Sequence, residues 1–255
     1  MHPDSTRLSV FAWHERTRLS EPGVHRFVPA MGKVERYAYF LEIVVARHRA
    51  LVIQHAELTK KARAFMQPGG GRRTMAPEEV EVLRQLSGLS QLIHLEVETY
   101  YLFAKIFLDR VAHFIEHAFG SERRMSLDSH DKLTKNLKAY VSARRLECPK
   151  EFFDELVVLK RRIADFRDYQ IAHEKSPYMT HGTMWGPSQE PRIVFAAFPP
   201  PGANLRATEA VQSEELGSLH AAIQIHMGRF IEFYELNREK SIYMTSVDYP
   251  VDKTS

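Results

Sequence analysis

The sequence lacks several features that mark particular classes of protein. It has a single cysteine, Cys148, so it can form neither an internal disulfide nor a cluster of thiolate metal ligands. It has no apolar run of the ~20 residues that a membrane-spanning helix needs, and residues 1–7 do not lead into the apolar stretch of a secretory signal. We therefore expect a chain of the reducing cytoplasm with no membrane partner.

The sequence also lacks a large excess of positive or negative charge. The formal net charge is +3 at pH 7, which is too small to indicate nucleic-acid binding by itself. Five basic residues without an acid do lie between Lys60 and Arg73, and a second basic stretch runs from Lys132 to Lys150. Each stretch can be a solvated surface, which we favour, or a surface that follows phosphate groups.

Helical periodicity, by contrast, covers most of the 255 residues. Gly and Pro residues separate the periodic segments, since Gly frees the backbone and Pro removes a hydrogen-bond donor. Residues 92–119 are apolar on most sides, which predicts a central helix surrounded by others. The fold class is therefore predicted to be all-α, a bundle of about five to six helices. The predicted helices cover about 33–65, 77–119, 127–146, 150–174 and 207–240.

Two regions depart from this helical pattern. Residues 1–30 show no clear period and contain three prolines, so they are predicted to form an N-terminal arm, and 31–255 a single helical domain. Residues 178–206 are rich in Pro and Gly around the β-type run Arg192–Phe195, which predicts one long loop or short β-hairpin insertion before the last helix. Loops of this length in a compact domain often have a function.

The most specific motif is Arg167-Asp168-Tyr169-Gln170-Ile171-Ala172-His173, near the end of the predicted helix over 150–174. The negative end of a helix favours the charged imidazolium, which suits His173 to general acid–base catalysis near neutral pH. Arg167 lies ~9 Å earlier along the axis, at ~1.5 Å per residue. The two side chains are therefore expected to form a composite site with a copy from a second chain.

This motif resembles the signature of the HEPN superfamily, which is Arg, a polar residue, a few more residues and then His. Arg167, Asp168 and His173 match it, with a spacing within the family's range. Many HEPN proteins are helical dimers that cleave RNA without a metal, in toxin–antitoxin, abortive-infection or RNA-processing systems. The resemblance implies a homodimer acting on RNA without a cofactor, with an antitoxin-like protein as a further partner.

The resemblance also assigns a role to each matched residue. His173 would move a proton while a ribose 2′-hydroxyl attacks the adjacent phosphate, and Arg167 would hold the phosphate and its developing charge. Asp168 would orient one of these groups or the nucleophile. Tyr169, within the motif, and Asp109, on the central helix, are taken as supporting residues, because a carboxylate near the motif helix can pair with Arg167 or orient His173. The alternative for Asp109 is a solvent-facing stripe that it shares with Lys105 and His113.

Two further interpretations of the whole chain stay open. The first is a non-catalytic helical binding or scaffold protein, in which Arg167 and Asp168 form surface ion pairs and His173 caps helix carbonyls. The second is a metal-dependent helical enzyme using His113 and His117, which are four residues apart. The repeated Glu-x-x-His motifs of a di-iron bundle are missing from the sequence, so we expect no metal.

Three smaller features have ordinary explanations. Gly69-Gly70-Gly71-Arg72-Arg73 lacks the ending of a phosphate-binding P-loop and is interpreted as a flexible turn. Tyr178 and Trp185 can either stack on a base or anchor their loop to the bundle. Cys148 has no evident catalytic partner and is taken as structural.

Overall fold

The computed structural model of the protein describes residues 3–19, 27–65, 74–165, 178–185, 191–198 and 212–242. These residues are mostly helical, which confirms the predicted all-α class. A π-helical turn, Lys160–Asp165, continues the fifth helix, and a 3-10 turn, Arg238–Lys240, follows the sixth. The α-helices of the described residues are α1 (Pro3–Leu19), α2 (Phe27–Phe65), α3 (Pro77–Phe119), α4 (His130–Arg144), α5 (Lys150–Leu159) and α6 (Leu216–Leu236).

The N-terminal segment contains a helix where the sequence pattern indicates an arm. On α1 the residues Leu8, Phe11, Ala12 and Glu15 are buried, which is helical spacing. The prolines do not interrupt it, because Pro3 is the first residue of α1, a position that tolerates proline. Exposed apolar residues on the opposite face weaken the helical periodicity of the apolar residues. The sequence pattern therefore does not predict this helix.

The long helix α3 begins and ends with recognisable caps. The backbone N–H of Ala76 donates to Oε2 of Glu79 over 2.9 Å, and the carbonyl of Ala76 accepts from the N–H of Val80 over 3.1 Å. Ala76 is thus the N-cap residue of α3, and the helix begins at Pro77, as the sequence predicts. At the other end Gly120 adopts φ +87° and stops the helix, as predicted.

The insertion before the last helix forms an antiparallel sheet with the strand order β1 (Tyr178–Trp185), β2 (Pro191–Phe198), β3 (Gln212–Glu215). Tyr178 pairs with Phe198 and Trp185 with Pro191, so β1 and β2 are the predicted hairpin. The strand β3 corrects the predicted start of the last helix, which begins at Leu216 rather than about Ala207. Residues 212–215 include good helix formers, but their pairing with β2 overrides that preference.

The chain divides into two compact units. In unit 1, Met1–Glu42, Leu102–Phe166 and His220–Ser255, buried aromatic rings form the core: Phe114 lies 5.5 Å from Phe27, 5.4 Å from Phe230 and 5.7 Å from Tyr234. Rings at these distances and tilts add favourable quadrupole contacts to the burial of apolar area.

Unit 2 consists of Ile43–Tyr101 and Arg167–Leu219. Its described core is smaller and mixes aliphatic residues such as Val44 and Val97 with polar contacts between α2 and α3. Arg47 forms an ion pair with the buried Glu96. Among the described helices of the chain, none combines the length and the hydropathy that a bilayer-spanning segment requires.

Candidate functional site

The motif residues Arg167, Asp168, Tyr169 and His173 lie outside the described residues. The described chain reaches Asp165, two positions before Arg167, through α5 and its π-helical turn. Turns of this kind are often found at functional sites. The candidate site therefore consists of the described side chains around this segment of the chain.

Asp109, the predicted supporting residue, lies on α3 and contacts the start of α4. Its Oδ1 accepts from Nζ of Lys105 over 2.6 Å and from the backbone N–H of His130 over 2.8 Å. His130 is the first residue of α4, so Asp109 satisfies a helix N–H that has no partner within the helix. Asp109 is partly exposed and shares its face with Lys105, as the sequence spacing indicates.

The π-helical turn before the motif is tied to the same end of α4. Nζ of Lys160, its first residue, lies 2.8 Å from Oδ1 of Asp131. Hydrogen bonds from Lys135 and then Lys160 lower the pKa of Asp131 to about 2, so the carboxylate stays charged near neutral pH. Ile163, further along the turn, is buried. The segment that leads to Arg167 is therefore tied to α4 by an ion pair and anchored in the core by a buried side chain.

Two buried histidines lie next to this anchored segment. The rings of His130 on α4 and His226 on α6 are 6.5 Å apart and perpendicular, and neither residue is accessible to solvent. His226 also stacks face to face on Phe152 of α5 at 5.3 Å. Among the described residues, none forms a hydrogen bond with any of the four ring nitrogens. Buried polar atoms without partners are uncommon in folded proteins, so this pair is the most unusual polar feature of unit 1.

Burial sets the protonation state of both rings. It lowers the pKa of His130 to about 3, with further lowering by His226 and Lys105, and it lowers the pKa of His226 to about 4. Glu155 of α5 is the nearest carboxylate, with Oε2 at 3.9 Å from Nδ1 of His226, and burial raises the pKa of this carboxyl. Both histidines are therefore neutral near pH 7. We call His130, His226 and Glu155 the histidine cluster.

Sequence spacing alone does not reveal the histidine cluster. His226 falls on the buried face of α6, between Ile223 and Phe230, where a histidine is hard to distinguish from an ordinary core position. His130 follows Ser129, whose side chain caps α4 by accepting from the N–H of Lys132 over 3.3 Å. In the sequence, each of these histidines is therefore only a polar residue at an apolar position. That pattern does not indicate which other residue it contacts.

The other histidine pair, His113 and His117 on α3, has nearly parallel rings 6.4 Å apart. Within the part of the chain that the structure describes, no three His, Cys, Asp or Glu side chains come close enough together to hold a metal ion. Cys148 is half-buried, and burial raises the pKa of its thiol to about 11. A neutral thiol is a poor nucleophile and a poor metal ligand.

Comparison with known proteins gives no relative for this fold and site. No protein-family model matches the chain, and neither a curated protein nor a solved structure matches it significantly. Function therefore has to be inferred from the residues themselves.

Proposed function

We propose that the chain is a HEPN-like homodimer that cleaves RNA without a metal, with Arg167 and His173 as its catalytic residues. The observation that carries this proposal is the sequence Arg167-Asp168-Tyr169-Gln170-Ile171-Ala172-His173 in a mostly helical protein, shortly after a helix that continues into a π-helical turn. The anchoring of that turn through Lys160 and Asp131 supports it, since catalytic groups must be held in a fixed geometry.

The proposed reaction is an intramolecular transesterification of RNA. His173 takes the proton of a ribose 2′-hydroxyl, whose oxygen attacks the adjacent phosphorus as the bond to the 5′-oxygen breaks. The leaving oxygen takes a proton, which gives a 2′,3′-cyclic phosphate and a 5′-hydroxyl end. Arg167 pairs with the phosphate oxygens as negative charge develops on them, and Asp168 orients the reacting groups.

The first test is cleavage of mixed labelled RNA in excess EDTA. His173→Ala and Arg167→Ala are each expected to lower the rate by about a hundredfold or more, the usual contribution of a positioned acid or base. Matched controls are His117→Ala, an exposed histidine of α3, and Arg161→Ala, an exposed arginine of the π-helical turn. Both controls should cleave like wild type, with circular dichroism showing equal helix content.

Other outcomes of that assay would contradict the whole proposal or one part of it. Cleavage that survives both motif substitutions would show that Arg167 and His173 are not the site. Absence of cleavage by the wild type would contradict the enzymatic part and leave the non-catalytic binding or scaffold protein. RNA binding by the same variants then separates an RNA-binding protein from a scaffold with no affinity for RNA.

A subunit-mixing experiment tests the homodimer and the composite site. In the helix predicted from the sequence, Arg167 and His173 would be separated by ~9 Å, at ~1.5 Å per residue, so each active site is proposed to take one residue from each copy. Mixing inactive Arg167→Ala chains with inactive His173→Ala chains should restore up to about a quarter of wild-type activity in random heterodimers, through their single intact composite site. No recovery after mixing and refolding would place both residues in one chain's site.

A further inference from the structure

A pocket of about 610 Å³ lies in unit 1 between α1, the C-terminal part of α6 and the 3-10 turn. Apolar side chains form part of its wall: Val10 and Phe11 from α1 and Ile231 from α6. Phe11 and Ile231 are buried, and Phe11 packs edge-on against Tyr234 at 5.3 Å. The volume is within the range of small-molecule sites, ~300–1,000 Å³. We call this cavity the α1–α6 pocket.

The charged lining of the α1–α6 pocket carries an excess of one positive charge. Three arginines, Arg7, Arg18 and Arg238, face two carboxylates, Glu15 and Glu235. Both oxygens of the buried Glu15 are already occupied: Oε1 by Nη2 of Arg238 over 2.9 Å and Oε2 by Arg18 and by the hydroxyl of Tyr234 over 3.3 Å. Glu15 therefore holds two of the guanidinium groups in place, while the third arginine, Arg7, faces Glu232 beside the lining residues.

Arg7 is the arginine best placed to meet a ligand. Its Nη2 lies 3.6 Å from Oε1 of Glu232, a long contact between two partly exposed side chains that contributes little. Its Nη1 also lies over Gly228 of α6, where an added Cβ would come within 3.1 Å. Gly228 thus makes room for this guanidinium against α6. A guanidinium held this way can form a bidentate pair with a carboxylate or sulfonate.

An exposed aromatic ring, Trp13, lies on α1 next to residues that line the pocket. The side chain of Trp13 is 60% exposed, and its ring lies 5.0 Å from that of His14, which lines the pocket. Helical spacing places Trp13 next to Val10 and Thr17 on α1, and both of these line the pocket. Val10 is itself 47% exposed, so the apolar surface continues from the wall to the rim.

We propose that the α1–α6 pocket binds a small organic monoanion with a planar aromatic body, of the aryl carboxylate or aryl sulfonate class. The acid group pairs with Arg7, and the ring lies against Val10 and Phe11 with Trp13 at its edge. The partly exposed guanidinium of Arg7, which has only a long contact to Glu232, fits one negative charge, the apolar wall fits the ring, and the volume fits a molecule of this size. This inference does not depend on Arg167 or His173, so it stands or falls separately from RNA cleavage.

The experiment uses the full chain and the fluorescent aryl sulfonate 8-anilinonaphthalene-1-sulfonate as the probe. We expect one saturable site from which indole-3-acetate displaces the probe, while neutral indole and aliphatic octanoate displace it at least about tenfold less well. Arg7→Ala should weaken probe binding by about tenfold or more, because it removes the charged partner. Arg84→Ala, which removes an exposed arginine of α3 far along the chain, is the matched control and should bind like wild type.

A second variant separates loss of the site from loss of the fold. Gly228→Ala should raise the melting temperature by about 2 °C, because alanine favours a helix, yet weaken probe binding by displacing Arg7. Equal affinity of wild type, Arg7→Ala and Gly228→Ala would overturn the proposal. Displacement by indole as efficient as by indole-3-acetate would overturn the need for an anion, and displacement by octanoate would overturn the need for a ring.

Discussion

Asn237→Asp is expected to lower the free energy of unfolding by about 4 kcal/mol, the sum of two lost hydrogen bonds and a buried unpaired charge. The side chain of Asn237 is buried at the end of α6. Its Oδ1 accepts from the N–H of Glu147 over 2.7 Å, and its Nδ2 donates to the carbonyls of Glu147 over 2.7 Å and Phe233 over 2.8 Å. Aspartate replaces that donor with an oxygen, which would face two carbonyl oxygens.

Urea unfolding followed by circular dichroism measures this effect. The matched control is Asn136→Asp on α4, the same chemical change at a partly exposed side chain whose Nδ2 donates to the carbonyl of Ser126 over 3.1 Å. We expect that control to lose less than about 1 kcal/mol, because water can solvate the new carboxylate. Equal losses for both substitutions would show that the contacts between Asn237 and Glu147 do not hold the α4–α5 connection.

Asn237 also illustrates which parts of the fold could be predicted from the sequence. Helix positions depend on local periodicity, so α3 and its stop at Gly120 could be predicted from residues close together in the chain. Asn237 and Glu147 are ninety positions apart, and no spacing rule connects them. The start of α6 was mispredicted for a related reason, since Gln212–Glu215 is a strand only because β2 lies beside it.

The residues of the candidate site show the same difference between local and long-range sequence information. Arg167 and His173 could be singled out because their pattern is contained in one predicted helix. The histidine cluster takes one residue each from α4, α5 and α6, and its members come together only when those helices pack. The α1–α6 pocket could not be predicted from the sequence either. The hydrophobic periodicity of α1 is weak, because Trp13 and Val10 are exposed.

Acidification is expected to destabilise the protein steeply because of His130 and His226. In the unfolded chain both imidazoles take up protons below their ordinary pKa of ~6.5. In the folded protein burial keeps them neutral until pH falls to about 3 for the pKa of His130 and about 4 for that of His226. Between pH 6.5 and about 4 the unfolded state therefore binds more protons, so stability is lost as pH falls, with a slope approaching ~1.4 kcal/mol per pH unit for each histidine.

Two neighbouring carboxyl groups modify this pH dependence. The pKa of Glu155 is raised by burial, so its protonation in the folded state opposes part of the loss. Asp131, with a pKa of about 2, adds to the loss only below about pH 4, where its unfolded form becomes protonated. The positive charges of Lys105 and Lys160 disfavour a proton on His130. Burial also lowers the pKa values of His55 and His94, so these two histidines add to the loss of stability in the same pH range.

His226→Phe tests both the pH dependence and the purpose of the histidine cluster. Phenylalanine can keep the stack on Phe152 and removes two buried nitrogens that have no hydrogen-bond partner among the described residues. Unfolding free energies at pH 7.5, 6.5, 5.5 and 4.5 should then fall less steeply than in the wild type, by up to about 1.4 kcal/mol per pH unit, while His117→Phe, at an exposed position, should leave the slope unchanged. A histidine NMR signal of His226 that titrates near pH 6.5 in the folded protein would contradict the burial effect.

If His226→Phe gains stability and still cleaves RNA, the cluster serves only the fold. If it gains stability and loses cleavage, the neutral imidazoles next to the anchored π-helical turn are retained at the expense of stability, as expected for groups that position the proposed motif.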